Sequence, residues 1–322
     1  MFQTRVTKLL NIKYPIIQGG LAYLAYADLA AAVSNAGGLG QVTAMSLASP
    51  EKLQQEIQKV KQLTNQPFGV NFAIGQHGRK YDHMVQVAVE EQVPVVSVTG
   101  GNPAGVLDML KGHPIKKLVL VASVRQAVKA EELGADAVMV VGQEGGGHLG
   151  RSDTGTMVLA PQVADELNIP VIASGGIVDG KGLMAALALG AEGIEMGTRF
   201  IATKEMQAHI NYKKAILSAG EGDTVVIKRS LGTPGRVLRS PFTENILSLE
   251  ETYGNNYEQL KDYISGEVNQ KYIESGEVSD GFGWAGQGAS RIQEISSVKE
   301  VMETIIQEAN QVKEKWNQGV SE

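Results

Sequence analysis

Eight short apolar runs alternate with amphipathic stretches along the first two thirds of the chain, and this rhythm restricts the fold more than any other feature. The runs are Tyr14 to Gln18, Leu39 to Thr43, Phe68 to Ala73, Val95 to Val98, Lys117 to Val121, Ala137 to Val141, Val171 to Ala173 and Gly193 to Glu195. Their length marks strands, and an unbroken run such as Ala137 to Val141 marks a strand buried on both faces. Between them, Ala27 to Ala36, Pro50 to Thr64, Val124 to Leu133 and Gly182 to Leu189 carry helical patterns. Several end at a glycine, such as Gly37, Gly134 or Gly190, that suits a helix C-cap. Eight parallel strands with intervening helices close most simply into a (β/α)8 TIM barrel, an α/β fold. A doubly wound open sheet is the alternative, and it suits eight similar units less well.

The rhythm stops after about Thr203. Helical patterns return at Tyr257 to Ile264 and Ser297 to Trp316, with a polar, glycine-containing region from Gly220 to Thr243 before them. Residues 1–205 are therefore expected to form the barrel, and residues 206–322 a mainly helical C-terminal domain over its mouth. Ile246, Leu247, Trp284, Ile292 and Ile305 give that segment apolar material enough to fold.

Composition excludes several classes of function. The chain has 322 residues, 43% of them hydrophobic, without a run of about 18 apolar residues, which predicts a soluble protein with a large core and no membrane partner. The polar flanks around Phe2 lack a cleavable leader pattern, so a cytoplasmic location is expected. With no cysteine there is no disulfide, thiolate metal site or cysteine nucleophile. A formal charge of -6 and an aromatic content of 5% argue against nucleic acid as a partner.

Barrel enzymes place their chemistry in the loops that follow the strands. After the sixth run comes Gly142-Gln143-Glu144-Gly145-Gly146-Gly147-His148-Leu149-Gly150, a glycine-dense turn holding one histidine. Glycines let a backbone approach a ligand closely, and histidine titrates near neutrality, so His148 is the candidate catalytic residue. Its plainer reading is a loop histidine satisfied by carbonyl groups. Gly145, Gly147 and Gly150 also match the GxGxxG spacing of a dinucleotide fold, but mid-chain and ahead of a polar loop rather than a helix. Ser174-Gly175-Gly176-Ile177-Val178-Asp179-Gly180 after the seventh run and Met196-Gly197-Thr198-Arg199 after the eighth have amides free to face a phosphate. Gln18-Gly19-Gly20-Leu21 after the first offers bare backbone to a flat ring.

These motifs, with Pro15 to Gly20, Val33 to Gly40, Phe68 to Asn71 and Ala285 to Gly288, resemble the 2-nitropropane dioxygenase family. That family comprises FMN-dependent nitronate monooxygenases, a related NADH:quinone reductase and the FMN-dependent enoyl-[acyl-carrier-protein] reductase II. The resemblance implies an oxidoreductase with FMN as cofactor. Gly19, Gly20 and Leu21 would lie along the isoalloxazine, with Asn71 and Ala73 beside it. Gln143, Gly146 and Gly147 would line the ring and ribityl chain, and Gly175, Gly176, Ile177, Gly197 and Thr198 would grip the phosphate. His148 matches the family's active-site histidine. No metal is implied.

Three departures stand out. Leu21 stands where many relatives have methionine, Val141 precedes Gly142 where an acidic residue is common, and the fifth strand lacks a lysine that some relatives place near the flavin. The last two weaken the quinone-reductase branch. The resemblance implies oxidation of an alkyl nitronate by O2 to a carbonyl compound and nitrite. His148 would hold the anion as imidazolium or remove the α-proton of a neutral nitroalkane. The alternative is reduction of an enoyl thioester or quinone with NAD(P)H as co-substrate. A non-catalytic flavin-storage or regulatory role is a third reading, and a homodimer is one candidate assembly.

Fewer expectations attach elsewhere. Arg79, Lys80 and Tyr81 follow the third strand near the mouth, where a solvated helix start explains them equally well. His77, His83, His113 and His209 lack metal-ligand spacing. The basic run Lys228, Arg229, Arg236 and Arg239 could meet an acidic carrier protein, although such runs are usually solvated surface.

Overall fold

The computed structural model describes residues 2–75 and 80–319. Its barrel strands are β1 (Ile16–Gln18), β2 (Gly40–Thr43), β3 (Phe68–Ala73), β4 (Val95–Thr99), β5 (Lys116–Val121) and β6 (Ala137–Val141), then β8 (Val171–Ser174) and β9 (Gly193–Met196). A two-residue strand, β7 (Gly147–His148), interrupts the series. The eight run parallel in the order β1-β9-β8-β6-β5-β4-β3-β2. A parallel bridge between Ile17 and Leu39 closes the ring, Gln18 N–H donating to the Leu39 carbonyl and Leu39 N–H to that of Ile16, each at 2.9 Å. The fold is the expected (β/α)8 barrel.

Alternation within each strand sorts side chains between the barrel interior and the helical layer. Ile17, Leu39, Leu118, Met139 and Ile172 fill the interior. Val6 and Leu10 of the helix Arg5–Leu10 join the same cluster and plug the end where strands begin. The opposite end, where strands finish, is left for chemistry. Outside, the helix Pro50–Leu63 shows the usual construction: Ser49 caps it, Pro50 starts it, and Leu53, Ile57 and Val60 form its buried stripe. Burying each such side chain contributes roughly 1.5–3 kcal/mol.

The helix Val298–Asn317, set by a Ser297–Glu300 capping box, packs against the helices Gly180–Ala188 and Ala27–Asn35. These follow the seventh and first barrel strands, so the last helix fills the eighth helical place of the ring. The approach is close enough to need a glycine: a Cβ on Gly180 would lie 2.4 Å from the Ala309 nitrogen and the Ile305 oxygen. The chain leaves the barrel after the helix Thr198–Ile201, and the segment beyond is not one body, because its last helix returns to the barrel.

What lies between is an insertion that is not only helical. The expected polar connection from Gly220 to Thr243 is a hairpin of β10 (Thr224–Ile227) and β11 (Gly235–Leu238). β11 pairs in turn with β7, placing Gly235 opposite His148 and Arg236 opposite Gly147. Val225, Ile227 and Val237 of the hairpin pack with Ile246, Val268 and Phe282 as a small separate core. Among the described residues no helix is long and apolar enough to cross a membrane.

Candidate active site

At the open end the turns after strands β1, β6, β8 and β9 converge. Gly19 N–H donates to the Met196 carbonyl at 2.9 Å, joining the first turn to the last. Gly197 lies against Leu21, and a Cβ on it would stand 3.2 Å from the leucine Cδ2. Gly20 lies directly on the Asn71 side chain, whose Oδ1 would sit 2.3 Å from an added Cβ. Gly175 touches the loop after β6, where the Gly145 nitrogen would be 3.1 Å from its Cβ. Gly175 and Gly176 have φ of 98° and 73°, left-handed values that favour glycine. This geometry leaves the amides of Gly176 and Ile177 with no acceptor among the described residues.

The insertion closes the ring from above. Thr198 Oγ1 accepts from Gly286 N–H at 3.0 Å, and Gln287 N–H donates to the Glu144 carbonyl at 2.9 Å. Gly146 is glycine because Gly286 lies on it: an added Cβ would be 2.5 Å from the Gly286 nitrogen. Glu144 in turn caps the helix Thr156–Glu166, accepting from Thr156 N–H at 2.8 Å and from its hydroxyl at 3.0 Å. The glycines named from sequence, with Leu21, Asn71, Gln143, Ile177 and Thr198, therefore surround one end of the barrel. Ala73 ends β3 at this same open end and is exposed there.

Of the buried side-chain oxygens without a donor among the described residues, Asn71 Oδ1 and Gln143 Oε1 lie at this end of the barrel. In each, the amide nitrogen is committed, that of Asn71 to Ser97 Oγ at 2.9 Å and that of Gln143 to the Gly150 carbonyl at 2.9 Å. Unpaired buried acceptors cost about 1–3 kcal/mol each, which suits a site that a hydrogen-bond donor is meant to complete.

Three further residues belong here that the sequence did not single out for the site. Lys228 Nζ lies 3.2 Å from His148 Nε2 and 5.0 Å from the centroid of the Trp284 ring. The rings of His148 and Trp284 are 5.2 Å apart. His148 is open to the mouth on one side, yet the surrounding protein crowds its ring. That desolvation, and next the Lys228 charge, push its pKa down to about 3. Burial likewise lowers Lys228 to about 8, opposed by Glu250. Both shifts favour the positive charge of the pair resting on Lys228 rather than on the His148 ring. The third residue is Glu195, which points into the barrel with Oε1 3.1 Å from where a Gly19 Cβ would be. Burial raises its pKa, with Ser174 pulling the other way, and no ion pair involves it among the described residues. Lys228 was visible only as part of a basic run and Trp284 only as apolar bulk.

The run divides, with Lys228 and Arg236 buried and Arg229 and Arg239 exposed as expected of solvated surface. Arg236 is buried, donating to the Gln143 carbonyl at 3.0 Å, Arg229 pairs with Asp153 at 3.1 Å, and Arg239 pairs with Glu244. Of the residues after the third strand, Lys80 is exposed and Tyr81 packs its hydroxyl on Gly105. His77 and Arg79 lie outside the described residues.

Fold and mouth together define a (β/α)8-barrel enzyme with its chemistry on the strand-end loops. The family model for nitronate monooxygenase matches residues 3–78 and 74–308, and the chain belongs to that family. It is an oxidoreductase of this generally flavin-dependent group. A probable nitronate monooxygenase of Staphylococcus saprophyticus is 34% identical, the match covering 96% of this chain and 98% of that protein. Among solved structures, FabK from Thermotoga maritima is 41% identical, covers 99% of both chains and superposes with a TM-score of 0.92. Nitroalkane oxidase from Streptomyces ansochromogenes is 27% identical over 97% of this chain and 100% of its own, with a TM-score of 0.83.

Proposed function

We propose that the chain holds FMN at this end of the barrel and oxidises alkyl nitronates with O2, yielding carbonyl compounds and nitrite. The residues fit that cofactor. FMN carries one N–H donor on the pyrimidine edge of its oxidised ring and hydroxyl donors on its ribityl chain, and Asn71 Oδ1 and Gln143 Oε1 are buried acceptors lacking donors. Its phosphate needs main-chain amides, which Gly176 and Ile177 have to spare beside Gly197 and Thr198. Bound there, FMN supplies the electron transfer and oxygen chemistry.

The observation that carries the nitronate reading is the pair Lys228–His148, an ammonium 3.2 Å from an imidazole at the mouth. A nitronate is an anion, and the buried ammonium attracts it more strongly than a solvated one would. His148, kept neutral, retains a ring lone pair that can remove an α-proton when a neutral nitroalkane arrives instead. Trp284 lies against both members of the pair, its ring 5.2 Å from that of His148 and 5.0 Å from the Lys228 ammonium.

A second reading has its own support: FabK, an enoyl reductase, is 41% identical over 99% of the chain. In that reading NAD(P)H is the reductant, and His148 or Lys228 would donate a hydrogen bond to the thioester carbonyl. One parallel assay separates the two. The nitronate reading expects O2-dependent nitrite release from ethyl- or propyl-2-nitronate and no bleaching of the flavin by NAD(P)H. Anaerobic bleaching by NAD(P)H, reversed by crotonyl thioester but not by quinone, with no nitrite formed, would replace it with the reductase reading.

A further inference from the structure

Lys228 follows β10 at the turn of the hairpin and has a φ of 63°, a left-handed value uncommon for a residue with a Cβ. The turn is tied down around it. Lys228 N–H donates to Glu250 Oε2 at 2.7 Å, and Ser230 donates to Glu250 Oε1 through N–H at 3.0 Å and through its hydroxyl at 2.6 Å. With the backbone so held, the side chain runs inward, only 7% exposed, to end over the face of Trp284 and against His148.

A charged ammonium has three donors and no lone pair, so its contact with Nε2 requires that nitrogen to accept. We propose that Lys228 is a positioning residue for His148, its ammonium fixing the imidazole as the neutral tautomer with the proton on Nδ1, so that Nε2 is freed as a base only when Lys228 gives up its proton or moves away. The control over proton removal at His148 then belongs to a lysine eighty residues further along the chain.

The other charges around the pair leave this arrangement intact. Glu250, from the helix Pro241–Tyr253, meets the main chain of Lys228 and Ser230. Arg236 of β11 is turned to the Gln143 carbonyl and Thr224. Arg229 is paired with Asp153, Arg151 donates to the Gly232 carbonyl, and Glu144 is occupied by Thr156. The cation–π contact with Trp284 keeps the ammonium in place while it stays charged.

The proposal rests on His148 lying in the active site, and its test needs no substrate. Protein with ring-15N-labelled histidine, purified with whatever cofactor it carries, is titrated by NMR, His148 being assigned by the signal lost in His148→Gln. The parent should show His148 neutral and Nδ1-protonated from about pH 8 down to about pH 5, with its Nε2 shift moving as Lys228 titrates at higher pH. Lys228→Met should give a tautomer mixture and raise the His148 pKa by roughly half a unit or more, while Lys228→Arg keeps the Nδ1–H form. A parent His148 that protonates at its ordinary value near 6.5, or that sits as the Nε2–H tautomer, overturns the proposal even if no variant folds. So does Lys228→Met with an unaltered tautomer. Failure of the nitronate reading would appear instead in the nitrite assay, with these spectra unaffected.

Discussion

The two sides of the barrel mouth are built from different materials. After β8 and β9 the site is almost all main chain: Gly175, Gly176, Gly197 and the amides they expose, fixed by local turns within a few residues of the strands. After β6 it is side chains, and two of the three, Lys228 and Trp284, are carried in by the insertion and docked through the pairing of β11 with β7. Main-chain sites hold a ligand common to a whole family, because an amide is the same whatever the residue. Side chains delivered by an insertion can be exchanged without disturbing the barrel, so the β6 side is where relatives with the same fold can differ in substrate.

If that division holds, variants on the two sides should fail differently. The effect with the widest reach is expected on the main-chain side, because every reaction of the enzyme needs the cofactor. Gly176→Leu forces a side chain into a left-handed position, with its Cβ 3.1 Å from the Glu144 Cβ. FMN affinity should fall by about 3 kcal/mol, on the order of 100-fold. Fluorescence titration measures this, and undiminished FMN retention in a folded variant would place the phosphate elsewhere.

On the side-chain side, His148→Ala should keep FMN and lose about 10²- to 10⁴-fold in kcat/KM on neutral nitroalkanes, where carbon must be deprotonated. Preformed nitronates should lose much less. Equal, small losses on both would make His148 a structural loop residue. The pH dependence sharpens the contrast: with His148 already neutral, the cation titrating in the working range is Lys228, so KM for a nitronate should rise as pH climbs past about 8. A KM flat from pH 6 to about pH 9 would contradict this placement of the charge.

The smallest effect is expected below both sides, at Glu195. Its folded-state pKa is raised by burial, so the stability it contributes is full below the ordinary carboxyl range and declines as pH rises through the folded value. Glu195→Gln removes the titration. The variant's Tm should match the parent's near pH 4 and exceed it by a few °C at neutral pH. Parallel Tm curves would show that Glu195 is ionised without penalty.

Much of this was legible in sequence, for reasons that the two sides illustrate. The barrel strands are apolar runs buried on both faces, a signal carried by each run alone, and β3 and β6 fall on their expected residues. The glycine turns were legible because close backbone approach leaves a compositional mark. The hairpin was not. Thr224 to Ile227 does alternate between partly exposed and buried positions, but Lys228, Arg229, Gly232, Pro234 and Arg236 make the whole stretch read as polar loop. Lys228 could not be linked to His148 by local pattern, because their contact depends on the register that sets Gly235 opposite His148. The downward shift of the His148 pKa was equally out of reach, because it comes from the crowding around the ring and then from Lys228, neither of which periodicity can place.

The last helix, Val298–Asn317, has a consequence for how the molecule is made. On the ribosome the eight strands and seven of their helices emerge while the helices Ala27–Asn35 and Gly180–Ala188 still lack the partner that covers them. The ring can be sealed only after the entire insertion has been synthesised, so Lys228 and Trp284 are already present when the outer layer locks. Synthesis order thereby favours a barrel that does not reach its mature form before its substrate-facing side chains are in reach, and a nascent chain halted at residue 205 should be a client for chaperones rather than a small barrel.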